Sequence, residues 1–146
     1  EIMENNFENA EILIVDDTII NIEVLKTILE KEGYKTRGAI NGEIALMIAQ
    51  KKPPQLILLD IRMPGMDGYE VCQKLKENET TKNIPIIFAS AMDAVEDKVK
   101  GFEVGGVDYI AKPFEPLEVL ARVKSQITIQ NLKQELLDLR QNYEKH

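Results

Sequence analysis

Short β-branched apolar runs alternate along this chain with longer stretches in which apolar residues recur every three or four positions. The first pattern belongs to buried strands and the second to amphipathic helices. Strand-like runs fall at 11–15, 35–39, 56–60, 84–89 and 108–111. Regular alternation of strand and helix predicts βα units wound around a parallel sheet. Most of these runs are apolar on both faces, but Lys35-Thr36-Arg37 is polar and belongs at an edge. A doubly wound α/β fold with a five-stranded parallel sheet in the order 2-1-3-4-5 accommodates this pattern.

The helical stretches carry their own boundaries. Ile22, Leu25, Ile28 and Leu29 form a stripe closed by Gly33, and Asn41 is placed to cap a second helix that turns Ile44, Ala45 and Ile48 inward. Val71, Cys72 and Leu75 line a third. Val95, Val99 and Phe102 are expected to line a fourth, with Asp93 and Glu96 at capping-box spacing. Gly101 inside that helix costs about 1 kcal/mol relative to alanine and marks it as a mobile element.

A fifth helix starts at Pro116 and meets no further Gly or Pro before the chain ends. Leu120, Val123 and Ile127 form its sheet-facing stripe. Beyond them Ile129, Leu132, Leu136, Leu139 and Tyr143 repeat at alternating spacings of three and four on a roughly opposite face. That is a two-stranded coiled-coil seam, so a homodimer through this helix is expected; a solvated helix with incidental leucines is the alternative. The expected layout is a flexible segment at 1–10, one domain at 11–127, and a helical extension at 128–146 serving as coiled-coil linker or dimerisation helix.

Size and composition fit a single domain: 146 residues, 44% hydrophobic and 29% charged. A formal charge of -7 argues against direct binding to nucleic acid, which is driven by clustered Lys and Arg. No apolar run approaches the roughly 20 residues that span a bilayer, so a cytoplasmic protein without a membrane partner is expected. The lone cysteine, Cys72, reads as core packing. A start at Glu and an open-ended last helix are expected of a piece of something longer, with an output domain beyond His146.

The chemistry lies at the strand ends. Ligands of open parallel sheets sit beyond the carboxyl ends of the strands, where strand order reverses. Asp16-Asp17 ends the first strand and Asp60 the third, followed by the uncovered loop Met63-Pro64-Gly65-Met66-Asp67-Gly68. Two carboxylates about 4 Å apart repel by about 4 kcal/mol at an effective dielectric of about 20, which calls for a cation. An all-carboxylate set without His or Cys points to Mg²⁺, or to Mn²⁺, and such ions take up phosphate oxygens. Lys112 after the fifth strand and Ser90 after the fourth add an ammonium and a hydroxyl at the same rim. Taken singly, each has a plain alternative: a helix cap for Asp16 or Asp17, a turn for Ser90, a surface charge for Lys112.

Together these residues resemble the receiver domain of two-component response regulators over about residues 11–127. The resemblance rests on the acidic pair Asp16-Asp17, Asp60 with its Met-Pro-Gly-Met-Asp-Gly loop, Ser90, and Lys112-Pro113-Phe114. It implies a flavodoxin-like fold and a phosphoacceptor role for Asp60. It further implies Mg²⁺ ligation by Asp17, Asp60 and the backbone carbonyl of Arg62, with Asp16 acting mainly through a water. Ser90 and Lys112 would stabilise the phosphoryl group. The implied partner is a histidine kinase or phosphotransfer protein. Such a domain is not a conventional enzyme and promotes only its own phosphorylation and dephosphorylation. Ser90 and Tyr109 would form the switch: the hydroxyl moves to the phosphoryl group, the ring turns inward, and the surface of the fourth helix, fifth strand and fifth helix changes. A static rim position is the alternative for Tyr109. Arg62 and Met92 would tune the lifetime of the phosphorylated state.

Two other classes compete. A Mg²⁺-dependent phosphohydrolase also uses an Asp nucleophile after a parallel strand, but Asp60-Ile61-Arg62 lacks the second acid of the usual pair. A structural adaptor working through the last helix leaves the acidic rim unexplained. A nucleotide site would require a glycine-rich turn where Asp16-Asp17-Thr18 stands, and the sole histidine, His146, is the last residue.

Overall fold

The computed structural model describes residues 10–91 and 94–145; Asp93, the expected helix cap, Met92, the expected lifetime-tuning position, and all but the last residue of the expected flexible segment at 1–10 lie outside them. Five strands alternate with five helices: β1 (Glu11–Val15), α1 (Ile19–Glu30), β2 (Lys35–Ala39), α2 (Gly42–Lys51), β3 (Leu56–Asp60), α3 (Gly68–Glu77), β4 (Ile86–Ala91), α4 (Val95–Glu103), β5 (Asp108–Lys112) and α5 (Pro116–Glu144). All pairings are parallel, in the order β2-β1-β3-β4-β5. This is the doubly wound, flavodoxin-like arrangement expected from the apolar pattern, with the polar strand β2 at an edge.

Period-two alternation divides the core. Leu13, Val15, Ile57, Leu59, Ile86, Phe88 and Tyr109 face one layer, which α2 and α3 cover with Ala45, Ala49, Val71, Cys72 and Leu75. Ile12, Ile14, Leu56, Leu58, Ile87, Ala89 and Ile110 face the other, which α1 and α5 cover with Ile22, Leu25, Leu29, Val119, Val123 and Ile127. Asn41 caps α2 by accepting from the Ile44 amide at 2.8 Å, and Gly33 follows α1 at φ 91°. Cys72 is free and buried, its thiol pushed up to about 11 by burial, which makes it packing rather than chemistry.

Strand β4 is shifted relative to the expected 84–89. Pro85 has no amide to donate, and Ile84 is instead held in the preceding turn through its amide and the Thr81 carbonyl. At the other end Ser90 and Ala91 extend the strand because they pair with Ala111 and Lys112.

The fourth helix is rotated from its expected orientation. Val95, Val99 and Phe102 point outward, at 65%, 53% and 52% exposure, while Asp97 and Gly101 are buried. The reason is the bulk of Phe88 on β4: a β-carbon at Gly101 would lie 2.9 Å from the ring, so the helix approaches the sheet only along its glycine. Asp97, one turn earlier on the same side, is carried inward with it. A smaller correction applies to α5, where Val119 is fully buried and Leu120 only half-buried.

Helix α5 is 29 residues long, about 43 Å, and outruns the sheet. Past Ile127 its apolar residues are exposed, from Ile129 at 39% to Tyr143 at 84%, with Leu132, Leu136 and Leu139 between. No helix among the described residues is long and apolar enough to cross a membrane.

Candidate functional site

Strand ends β1, β3 and β5 deliver the charged residues to one rim. Side-chain oxygens of Asp16, Asp17 and Asp60 lie within 4.8 Å of one another. Asp16 and Asp60 are buried, at 1% and 2% exposure, and Asp17 is exposed. Lys112 donates to Asp60 Oδ1 at 2.8 Å and lies 3.3 Å from Asp16 Oδ2. Asp16 also accepts from the Thr18 amide at 2.8 Å and from Asn21 Nδ2 at 3.2 Å, so it ties down the start of α1 as well as lining the rim. Asp16 is not itself the cap of α1, whose N-cap is Thr18; it forms an Asx turn leading into the helix and holds the Asn21 side chain while standing in the carboxylate cluster. Asn21, two residues into α1, carried no signal that would have separated it from an ordinary exposed amide.

Asp16 and Asp60 share the Lys112 ammonium, with the Asp17 carboxylate close by, and the titration of Asp60 and Lys112 reflects the imbalance. Burial pushes the Asp60 carboxyl up to about 6; the Lys112 hydrogen bond pulls it back, while the Asp16 and Asp17 charges push it further up. Burial drives the Lys112 ammonium down, but its hydrogen bond to Asp60 and the charges of Asp60 and Asp16 outweigh this and hold it above its ordinary value.

The donor set suits a hard divalent cation. Oxygens on one octahedral Mg²⁺ are about 2.9 to 4.2 Å apart, so a cluster within 4.8 Å needs only a slight rotation of its carboxylates to close on an ion. All ligands are oxygen and none is His or Cys, the combination that favours Mg²⁺ or Mn²⁺.

Ser90 has its hydroxyl engaged outside this cluster. Its position in β4 has the parity of Ile86 and Phe88, toward α3 and α4, whereas Asp60 pairs with Ala89 of the opposite parity. The Ser90 hydroxyl donates to Asp97 Oδ2 at 2.7 Å. Asp97 Oδ1 accepts from Arg62 Nη2 at 2.6 Å and from the Tyr69 hydroxyl at 3.1 Å. Burial, then Asp97, push Tyr69 up to about 12, which keeps it a neutral donor. Asp97 and Tyr69 are the residues that sequence reasoning missed, because Asp97 sits among apolar residues that were expected to face inward in its place. Arg62 lies in the loop after β3, with its guanidinium on Asp97.

Tyr109 is buried, at 8% exposure, and donates to the Ala91 carbonyl at 2.7 Å. Lys98 of α4 sits 4.7 Å above its ring. The ring is thus buried and held at its hydroxyl and its face, while the Ser90 hydroxyl donates to Asp97.

Comparison with known proteins gives a consistent picture. A family model for the response regulator receiver domain matches residues 12–124. Response regulator PleD of Caulobacter vibrioides is 40% identical over 130 residues, covering 86% of this chain and 29% of that protein. This chain therefore spans less than a third of PleD's length. A putative response regulator from Chloroflexus aurantiacus superposes with a TM-score of 0.80 at 39% identity, covering 82% of this chain and 98% of that one. The receiver domain of sensor histidine kinase PA1611 from Pseudomonas aeruginosa, with a magnesium ion coordinated in its active site cleft, gives 0.76 at 30% identity, covering 82% and 98%.

Proposed function

The chain belongs to the response regulator receiver domain family, and from that premise we propose that Asp60 accepts a phosphoryl group from a histidine of a partner kinase or phosphotransfer protein. One observation carries this reading: a buried carboxylate at the end of the central strand, held by Lys112 and crowded by Asp16 and Asp17. Asp60 Oδ attacks phosphorus, the P–N bond breaks, and its electron pair leaves with the imidazole, which takes up a proton. The product is an aspartyl phosphate, later hydrolysed by water to regenerate the carboxylate and release inorganic phosphate.

Asp16, Asp17, Asp60 and the Arg62 backbone carbonyl would hold Mg²⁺, which supplies charge neutralisation for the phosphoryl oxygens. Lys112 stands beside the oxygen that reacts and follows the negative charge onto the phosphoryl group. Ser90 supplies one hydroxyl donor once it turns to the rim. The chain acts as a signalling domain of the cytoplasm rather than as an enzyme with turnover on an outside substrate.

The output runs through α4, β5 and α5. Ile129, Leu132, Leu136, Leu139 and Tyr143 line one exposed stripe of α5, which supports a two-stranded coiled coil between copies and a link to an output domain. Intact-mass measurement after exposure to acetyl phosphate and Mg²⁺ tests the central claim. One phosphoryl group is expected on the unaltered chain and none on Asp60→Asn; uptake by Asp60→Asn overturns it.

A further inference from the structure

The Ser90 hydroxyl carries a single proton, and that proton is already given away. Its acceptor, Asp97, is 7% exposed and draws donors from three elements: Ser90 at the end of β4, Arg62 in the loop after β3, and Tyr69 on α3. A hydroxyl cannot donate to the Asp97 carboxylate and to a phosphoryl oxygen on Asp60 at once. We propose that Asp97 is a positioning residue that holds Ser90 in reserve, so that phosphorylation must win the Ser90 hydroxyl from α4. This inference rests on the phosphoacceptor reading of Asp60 and assigns the residue that governs its switch.

The exchange is chemically well prepared. When Ser90 leaves, Asp97 keeps Arg62 and Tyr69 as donors, so no buried carboxylate is orphaned. Ser90 in turn leaves a charged acceptor for another charged acceptor, so the two states are closely matched. Helix α4 starts at Ala94 without a side-chain cap, and Gly101, one turn after Asp97, lies against the Phe88 ring with no β-carbon between them. Tyr109 is already packed inward on the Ala91 carbonyl, next to Ser90. With the ring held there, transfer of the Ser90 hydroxyl is the step left to phosphorylation.

The test is a double-mutant cycle on the affinity for beryllofluoride with Mg²⁺, a phosphoryl mimic that binds at the acceptor carboxylate. Asp97→Ala is expected to tighten binding about tenfold by freeing Ser90. In the Ser90→Ala background the same substitution is expected to change nothing. A weaker affinity in Asp97→Ala, or an equal change in both backgrounds, overturns the latch, because a merely structural role for Asp97 would not depend on Ser90. Should Asp97→Ala fail to fold, Asp97→Asn retains the volume with a weaker acceptor and is expected to tighten binding by a smaller factor; no change there overturns the latch equally. If the unaltered chain takes up no beryllofluoride, the phosphoacceptor reading falls and the latch falls with it. If it binds normally and only the cycle is flat, the latch alone is wrong.

Discussion

Gly68 is packed so closely on Asp60 that a β-carbon there would overlap the Asp60 carbonyl oxygen. The same β-carbon would lie 2.9 Å from the Ile61 α-carbon, and the Gly68 amide donates to the Ile61 carbonyl at 2.9 Å. Backbone meets backbone, so no rotamer change relieves the clash. Gly68→Ala is expected to cost about 3 kcal/mol of stability, the upper end for overpacking, and to slow phosphoryl uptake by displacing Asp60. Urea denaturation with acetyl phosphate labelling checks both, and a variant of unaltered stability would refute the contact.

Asp60 titrates at about 6 when folded, against an ordinary value of 3.8. The folded state therefore holds this proton more tightly than the unfolded chain, and ionisation costs stability. The contribution is fully present below about pH 4 and is lost as pH rises toward and through about 6, a loss of roughly 2–4 kcal/mol at one pKa unit per 1.36 kcal/mol. Without divalent metal, Asp60→Asn is expected to be more stable than the parent at pH 7.5 by about 2 kcal/mol, and equal to it at pH 4. Paired denaturation curves across this window decide it, since titrating groups remote from Asp60 cancel between the two chains.

Magnesium is expected to offset part of that cost. At a concentration ten times its dissociation constant, Mg²⁺ should stabilise the parent by about 1.4 kcal/mol at pH 7.5. The gain should shrink at pH 5, where protons compete for Asp60, and should largely vanish in Asp60→Asn. Thermal denaturation with and without a chelator reads this out; equal stabilisation of both chains would place the ion elsewhere.

The exposed stripe on α5 makes a separate claim. Leu136 is 64% exposed and sits at the middle of the seam from Ile129 to Tyr143. Leu136→Asp is expected to convert a dimer to a monomer in sedimentation, leaving the urea midpoint of the sheet unchanged because Leu136 lies beyond the buried residues Val119, Val123 and Ile127. Unchanged association would rule out the seam.

Much of the rim is legible in the sequence. Asp16, Asp60 and Lys112 each follow an apolar run, and in a parallel sheet all strands end on one side, so strand order alone gathers them. The same logic puts Ser90 at the rim, but rim position does not specify a face. Its parity with Ile86 and Phe88 directs it toward α4, a consequence of period-two geometry that reading strand ends alone leaves out.

The orientation of α4 lies beyond any one-dimensional pattern. Val95, Val99 and Phe102 form a regular apolar stripe, and periodicity assigns such a stripe to the core. The opposite face is buried because Phe88 occupies the space on the sheet and admits only Gly101, while Asp97 finds Ser90, Arg62 and Tyr69 waiting for it.

Local pattern thus determined the elements, their order and the residues at each strand end, since these depend on neighbours a few positions apart. Which side of a helix met the sheet was settled only by tertiary packing, because steric fit and hydrogen-bond partners between residues far apart in the chain outweigh a stripe of three apolar side chains.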